Sequence, residues 1–449
     1  MKIRALFEAD GENPDVLAKG WVRTVRDHRD FVFVEINDGS CLTSLQAVAD
    51  AGSPAYGVLS GLSTGSSVAV RGALVPSPAK GQKWELRALS AEKLGDAPED
   101  FPLQKKRHSD EFLRTIAHLR PRTNKFSAVF RVRSALALSI HDFFRDRGFF
   151  YIHTPIITAS DCEGAGDMFR VSTLSPGEPN ENDFFGRPAH LTVSGQLAAE
   201  MFACALSDVY TFGPTFRAEN SNTARHAAEF WMVEPESAFS DAVDNMALAE
   251  DFLRHLANFA LTECGEDLSL FSRFVDPRLI PTLTAIASGP FARISYTQAI
   301  DILQKSGEKF QYPPVWGNDL ATEHERFLAE THVKGPVIVF DYPKSLKPFY
   351  MRLNDDGKTV AAMDVLVPRI GEIIGGSQRE ERGEVLSGRM KEAGLNSDEY
   401  SWYADSRRYG SVIHSGFGLG FERLVMLVTG VSNIRDVIPY PRTPGSIAF

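Results

Sequence analysis

Arginines and acids recur at close spacing in three stretches of this chain, and each pattern suits phosphate chemistry. In TFRAEN, Arg217 and Glu219 stand two residues apart, so an extended strand would project both from one face. The loop SNTARHAA then carries Arg225 and His226 before a second strand, EFWMVE, which holds Phe230 and Glu234. Two guanidinium groups converging from strand and loop suit a polyphosphate, because each pairs bidentately with phosphate oxygens. A salt-bridged surface arginine is the plainer alternative for FRAE taken alone. In GFGLGFERLVML the glycines up to Gly420 let backbone approach a flat ligand, and Arg423 falls in the first turn of an apolar helix. A cation is unfavourable at the positive end of a helix dipole, so its presence there implies a compensating anion such as a phosphate.

Between these two stretches, MDVLVPRIGEIIGGSQR embeds Asp364 and Glu372 in otherwise apolar, strand-like sequence. Acids in such settings are rarely buried unless paired or metal-bound. Hard cations that bridge phosphates prefer carboxylates, which makes magnesium the natural candidate; pairing with Arg369 or Arg379 is the alternative. Other chemistries fall away. The third glycine of Gly416, Gly418 and Gly420 comes one residue early for a dinucleotide fingerprint, and no phosphate-binding GxxxxGK[ST] loop occurs. EHERF around His324 lacks the second histidine of a zinc-protease helix, and no Ser or Cys sits in a recognisable nucleophile setting. The four cysteines, Cys41, Cys162, Cys204 and Cys264, include no CxxC pair, so each reads as a small apolar residue in a chain kept in a reducing cytosol.

The elements that must position these residues are legible in outline. From about Lys19 to Leu94 the segments WVRTVRD, FVFVEIND, LTSLQAVAD, SSVAVRGALV and QKWELRALSAEKL alternate apolar and polar residues, with Gly, Ser and Pro between them. Five such strands predict a small closed barrel of the OB type over residues 1–98. Residues 99–124 lose periodicity and gain Pro and charge, including Lys105, Lys106, Arg107 and His108, as an interdomain linker does. An amphipathic helix then starts at Phe126, with Val129, Phe130, Leu136, Ile140 and Phe144 on the same side, and ends at Gly148. Strand-like segments mixed with helices near Gln196–Leu206, Ala242–Thr262 and Phe421–Thr429 follow without regular βαβ alternation. They predict an α+β domain on an antiparallel sheet flanked by helices, over residues 125–449.

Composition is that of a globular chain with a core: 43% apolar and 24% charged over 449 residues. The net charge of −10 argues against non-specific coating of nucleic acid but leaves a specific RNA partner open. The start, MKIRALFEADGENP, has no apolar stretch of signal-peptide type, and no apolar run is long enough to span a bilayer, so a cytoplasmic protein is expected.

In this order, the helix and strand up to Pro155, FRAEN…RHAAEF and GLGFER resemble the three signature motifs of class II aminoacyl-tRNA synthetases. An OB barrel ahead of the catalytic domain resembles the aspartyl, asparaginyl and lysyl subgroup. TASDCEGAGDMFRV, TVSGQLAAE, IGEIIGGSQREER and DVIPYPRTPG look asparaginyl, and the resemblance covers essentially the whole chain. Aspartyl members carry a lysine where this chain has Ala199, and the loss of that cation fits a neutral carboxamide.

The resemblance implies an enzyme that forms an aminoacyl-adenylate from L-asparagine and ATP, then transfers it to the 3′ end of tRNA(Asn). Aspartyl or dual specificity is the alternative; a non-catalytic tRNA-binding relative is the remote one. It also implies roles. Arg217 would hold the α-phosphate, Arg423 with Arg225 the γ-phosphate, and Phe230 the adenine, with Glu219, His226 and Gly420 completing the ATP site. Asp364 and Glu372 would carry Mg2+. Glu163, Ser194 and Gln196 would receive the substrate ammonium and carboxylate, under a mobile cover formed by the glycines of CEGAG. Arg379 would donate to the amide oxygen, and either Glu219 or Glu234 would accept from the amide nitrogen. For Ser194 and Gln196 helix capping is the alternative, and for Phe230 core packing. In the barrel, Phe33 and Gln46 would stack on and read an anticodon base. Finally, the resemblance implies a homodimer around the first motif, and an inserted helical segment around 265–330.

Overall fold

The computed structural model describes residues 1–162, 167–175 and 177–449. These form two compact units, Met1–Arg131 and Val132–Phe449, and the division falls inside one long helix, Asn124–Asp146.

Period-two alternation builds the first unit. Strands β1 (Asn13–Asp27), β2 (Phe31–Asn37), β3 (Leu45–Asp50), β4 (Ser67–Pro76) and β5 (Trp84–Gly95) close into a barrel in the order β1-β2-β3-β5-β4. Along β2, Val32, Val34 and Ile36 are fully buried while Phe31, Phe33 and Glu35 face out, half-buried. Branched aliphatic residues thus fill the barrel and polar or aromatic ones clothe it. Val16, Val22, Val68, Val70, Leu74 and Leu86 complete that core. The expected strands are present, but β1 runs for 15 residues from Asn13, well ahead of Trp21. A register irregularity between Val22 and Thr24 lets this strand bend and pair with both β2 and β4, which is how a small barrel turns a corner. Residues 99–124 are not featureless. They hold a short helix, Asp110–Thr115, capped by the Ser109 side chain, and Leu103 and Leu113 cluster with Phe126.

The second unit contains β6 (Phe150–Tyr151), β7 (Ile157–Thr158), β8 (Arg170–Val171), β9 (Ala189–Leu191), β10 (Asp208–Phe216), β11 (Glu229–Ala238), β12 (Ala292–Ser295), β13 (Val337–Pro343), β14 (Thr359–Val367), β15 (Gly371–Gln378) and β16 (His414–Gly420). Among the described residues, eight of these make one sheet in the order β12-β13-β14-β15-β16-β11-β10-β6, and β7-β9-β8 make a small one. From β13 to β10 all neighbours are antiparallel, whereas the outermost pairs, β12 with β13 and β10 with β6, are parallel. The expected antiparallel sheet is therefore the centre of a mixed one.

Strand β14 is buried at every position but Asp364, so the sheet is covered on both sides. The helix Ala242–Glu263, opened by a capping box between Asp241 and Asp244, packs on β14, β15 and β16. The helix Phe421–Thr429 follows β16 without a loop, which ties the start of the helix to the end of a central strand. In the Asn124–Asp146 helix, Phe126, Val129, Leu136, Ile140 and Phe144 are fully buried and Phe130 partly so; packing within the chain absorbs the expected apolar side.

Candidate active site

The β10–β11 ladder ends at the pair Phe216 and Glu229. Arg217 and Glu219 therefore lie in the loop between the strands, and strand alternation is not what aligns them. Ser221 and Thr223 hydroxyls bond His226 Nδ1 at 3.1 and 2.6 Å, and such local side-chain bonds turn the loop where a ladder would otherwise continue. The loop base is held by Arg217 N donating to Ala228 O at 3.0 Å and Ala218 N to Asp167 O at 2.6 Å. Even so, Arg217, Glu219, Arg225, His226, Phe230, Gly420 and Arg423, the residues expected at a nucleotide, line one cavity together with Glu372 and Gly418. Phe230 is half-buried, with the Arg217 guanidinium 5.4 Å from its ring centre, so it is wall and not core. Burial pushes the His226 imidazole down, and the nearby arginines Arg423, Arg217 and Arg225 push it the same way against Glu219.

A second cavity, of about 300 Å³, adjoins the first and shares Arg217, Met232, Glu372 and Gly418 with it. Its wall brings together Ser194, Gln196, Glu234, Glu236, Lys347, Asp364 and Arg379. Glu234 takes a hydrogen bond from Ser194 Oγ and another from Gly195 N at 3.0 Å. Ser194 Oγ also accepts from Gln196 N at 3.1 Å, one residue ahead of Gly195, where the helix Gln196–Leu206 begins without a side-chain cap, and it lines the cavity. Of the two acids left open for the amide nitrogen, Glu234 lines this cavity and Glu219 only the first. Glu163 and the glycines beside it lie outside the described residues. Ala199 is fully buried against Ala203 and Val209 and is not part of this wall, so the missing lysine is not read directly from the cavity lining.

Glu236 went unnoticed in the sequence. Its two oxygens take bonds from Arg379, Nε at 3.1 Å and Nη2 closer, while Arg379 Nη1 donates to Ser377 Oγ at 2.9 Å. The Glu236 carboxylate lies where a side chain on Gly416 would be: a Cβ there would stand 2.3 Å from its carboxyl carbon. Burial and the acids Glu200 and Glu234 push the Glu236 carboxyl up, against the pull of Arg379, whose N–H groups donate to both of its oxygens and favour the carboxylate form. Behind this pair, Glu200 accepts from Gln196 Nε2 at 2.9 Å, Tyr403 OH at 2.7 Å and Arg407 Nη2 at 2.8 Å, with His414 Nε2 at 3.1 Å. A buried network this fully bonded holds Arg379 and Gln196 in one orientation. A sequence signal for Glu236 did exist, since it sits two residues after Glu234 on the same strand face.

Asp364 and Glu372 do come together, though with other partners than Arg369 or Arg379. Lys347 Nζ bonds both Asp364 oxygens, at 3.0 and 2.7 Å, and Arg423 Nη1 donates to Glu372 O at 2.7 Å and approaches its carboxylate at 3.3 Å. The anion expected near Arg423 is thus supplied in part by the chain. Both acids flank Gly375, where a Cβ would lie 3.0 Å from Glu372 Oε1 and 3.5 Å from Asp364 Oδ1. A third acid, Glu325, accepts from Glu372 N at 3.3 Å. Burial, with Glu372 close by, pushes Glu325 up to about 7. Asp364 is raised by burial and by Glu372 against the pull of Lys347. Among the described residues no group of three or more His, Cys, Asp or Glu forms a complete cage for a metal. Two crowded carboxylates over a bare glycine fit a hard cation whose remaining oxygens come from phosphate and water.

In the first unit, Phe33 faces out of β2 beside Phe31, at 4.9 Å between ring centres, and under the Arg26 guanidinium at 5.6 Å. Arg26 Nη2 donates to Gln46 Oε1 at 3.0 Å, so the two residues expected at an anticodon base sit on one aromatic and cationic face. Among the described residues, no helix is long and apolar enough to cross a membrane.

A mixed sheet with an arginine-bearing loop from β11's partner strand, a helix springing from β16 and an OB barrel ahead of them define a class II tRNA synthetase. The family model for class II tRNA synthetases (D, K and N) matches residues 109–444, and an OB-fold nucleic acid binding domain matches 16–94. The chain belongs to this family. Within it, the chain is 62% identical over 450 residues to the asparagine–tRNA ligase of Nitratidesulfovibrio vulgaris, covering 98% of both proteins. It is 57% identical to that of Geobacter metallireducens, covering 100% of this chain and 99% of the relative. Among solved structures it resembles the asparaginyl-tRNA synthetase of Pyrococcus horikoshii complexed with asparaginyl-adenylate. That match has a TM-score of 0.88 and 33% identity, over 100% of this chain and 99% of the other.

Proposed function

We propose that this chain is an asparagine–tRNA ligase: it activates L-asparagine with ATP and transfers it to the 3′ end of tRNA(Asn), releasing pyrophosphate and AMP. One observation carries the reading. Arg217 and Glu372 belong to the shared wall of two adjoining cavities, one lined by arginines and Phe230, the other by a buried donor–acceptor pair. ATP occupies the first, with adenine against Phe230 and the phosphates toward Arg217, Arg225 and Arg423. The amino acid occupies the second, with its ammonium toward Glu234 and Ser194. The side-chain amide oxygen takes a hydrogen bond from Arg379, and the amide nitrogen gives one to Glu236. Because Glu236 offsets the charge on Arg379, the pair suits a neutral carboxamide better than a second carboxylate, whose charge would go uncompensated.

The substrate carboxylate oxygen then attacks the α-phosphorus, the bond to the bridging oxygen breaks, and pyrophosphate departs with the electron pair. Arg217 offsets charge growing on the α-phosphate. Positioning and charge stabilisation do the catalysis, since both reacting groups are already activated. Asp364 and Glu372 would hold Mg2+, which neutralises phosphate charge when bound. The first unit reads tRNA through Phe33 and Gln46, and the second is the catalytic unit. The reading assigns the protein to the cytoplasm, with its tRNA.

A homodimer is part of the same proposal. Leu138 on the long helix is 65% exposed, and Phe150, Tyr151 and Ile157, around the Pro155 bend and on edge strand β6, are 53%, 52% and 43% exposed. An apolar edge of this kind suits pairing with a second copy.

ATP–pyrophosphate exchange with each of the twenty amino acids tests the function. Asparagine is expected to drive exchange, with aspartate far behind; comparable stimulation by aspartate would replace strict asparagine specificity with a dual one.

A further inference from the structure

A third cavity, of about 510 Å³, shares Arg225 and Arg423 with the arginine-lined cavity described above. Its lining is cationic. Among the described residues its lining has five arginines, Arg225, Arg278, Arg326, Arg369 and Arg423, against two acids, Asp276 and Glu330. The acids are already engaged. Asp276 pairs with Arg369 at 2.7 Å and Arg278 at 3.3 Å, and Glu330 accepts from Arg369 N at 2.7 Å.

Two cations remain over. Arg225 Nη2 is buried with no hydrogen-bond partner, and burial together with the neighbouring cations Arg326 and Arg423 pulls the Arg225 guanidinium down against the acids Glu325 and Glu330. Arg326 is exposed at the rim and has no hydrogen-bond or ion-pair partner among the described residues. Arg369, meanwhile, stands at φ 75°, a left-handed conformation that an arginine keeps only where its surroundings hold it, and such strain gathers at binding sites. Guanidinium groups that outnumber the acids around them are stabilised by an anion that binds, and guanidinium forks match phosphate oxygens.

We infer that this cavity receives the pyrophosphate released by adenylate formation and holds it as it leaves, with Arg225 and Arg423 as the wall common to both sites. The inference rests on the ATP reading above. When the Pα–O bond breaks, the departing pyrophosphate keeps the bridging oxygen and its charge. Beyond the γ-phosphate residues, Arg326 is the arginine of this lining that has no hydrogen-bond or ion-pair partner among the described residues.

Arg326 is exposed and outside the proposed ATP and asparagine contacts, so its variants test the site without touching the chemistry. Pyrophosphorolysis of enzyme-bound adenylate is measured against inorganic pyrophosphate for the full chain and for Arg326→Ala, Arg326→Glu and Arg326→Lys. Half-saturating pyrophosphate is expected to rise about tenfold in Arg326→Ala, the size of one lost charge-assisted contact, further in Arg326→Glu, and to recover in Arg326→Lys. The KM for ATP in the forward direction is expected to stay near that of the parent. Unchanged pyrophosphate dependence in both the Ala and Glu variants overturns the inference. So does a parallel rise in ATP KM, which would make the cavity part of the nucleotide site. Calorimetric titration of inorganic pyrophosphate into the protein alone separates this from the functional reading. Equal binding by the parent and Arg326→Glu overturns the exit site, whereas absent asparagine-driven exchange in the parent strikes only the assigned activity.

Discussion

Arg217 owes its importance to being on a wall between two cavities, not to any bond it makes in isolation. On the proposed reading, a guanidinium there faces charge that develops only as the α-phosphate is attacked. Preorganised donors of that kind are worth ~10²–10³ in kcat when removed singly. Arg217→Ala is therefore expected to lower asparagine-dependent exchange by about that factor. Arg217 is a half-buried loop residue, so the melting temperature should stay close to that of the parent. Exchange kinetics beside a thermal melt decide it: unchanged exchange would remove Arg217 from the chemistry, and a large drop in melting temperature would make its role structural. At this scale Arg217, Arg225, Phe230 and Arg423 were legible because short motifs carry them. Glu236 and Lys347 were not. Arg379 is 143 residues beyond Glu236, and Asp364 is 17 beyond Lys347, across the connection from β13 into β14, so no local pattern announces either pair.

Strand β2 shows how alternation assigns a role to Phe33. With Val32 and Val34 fully buried, the residue between them must face outward, so Phe33 cannot be barrel core. Phe33→Ala is expected to weaken tRNA binding by ~1–3 kcal/mol, the worth of one base stacked on an aromatic ring. Exchange without tRNA should be unaffected, and the stability loss should stay well below the ~3–5 kcal/mol of a truncated core phenylalanine. Filter binding, exchange and a melt on the same preparation distinguish the cases. Equal damage to both activities, or a core-sized loss of stability, would withdraw the anticodon role. Helix ends were equally readable: Gln196–Leu206 and Phe421–Thr429 begin and stop at their expected residues. The β10–β11 loop was not, because hydroxyl bonds to His226 end the ladder one residue before Arg217.

For the whole molecule the open question is its second copy. Leu138, Phe150, Tyr151 and Ile157 leave apolar surface near an edge strand that pairs on one side only. Sedimentation at micromolar concentration is expected to give twice the chain mass, the commonest closed arrangement for a soluble oligomer. A fully active species of single-chain mass would refute the dimer and leave that edge to some other partner. The long helix had offered a larger apolar side for the same purpose, but its fully buried Phe126, Val129, Leu136, Ile140 and Phe144 are spent on the chain's own packing.

Short-range order alone determined the barrel strands and the α+β character of the second unit. Each depends on spacing of two to four residues, over which backbone geometry dictates which side chains share a face. What only the tertiary structure decided is who meets whom. It chose Glu236 for Arg379, Lys347 for Asp364 and Arg423 for Glu372, and it gathered Arg225 and Arg326 on a cavity whose arginines outnumber its acids. Those pairings join distant strands, helices and loops, and a buried charge takes whichever opposite charge the packed fold brings within reach, not the one nearest in sequence.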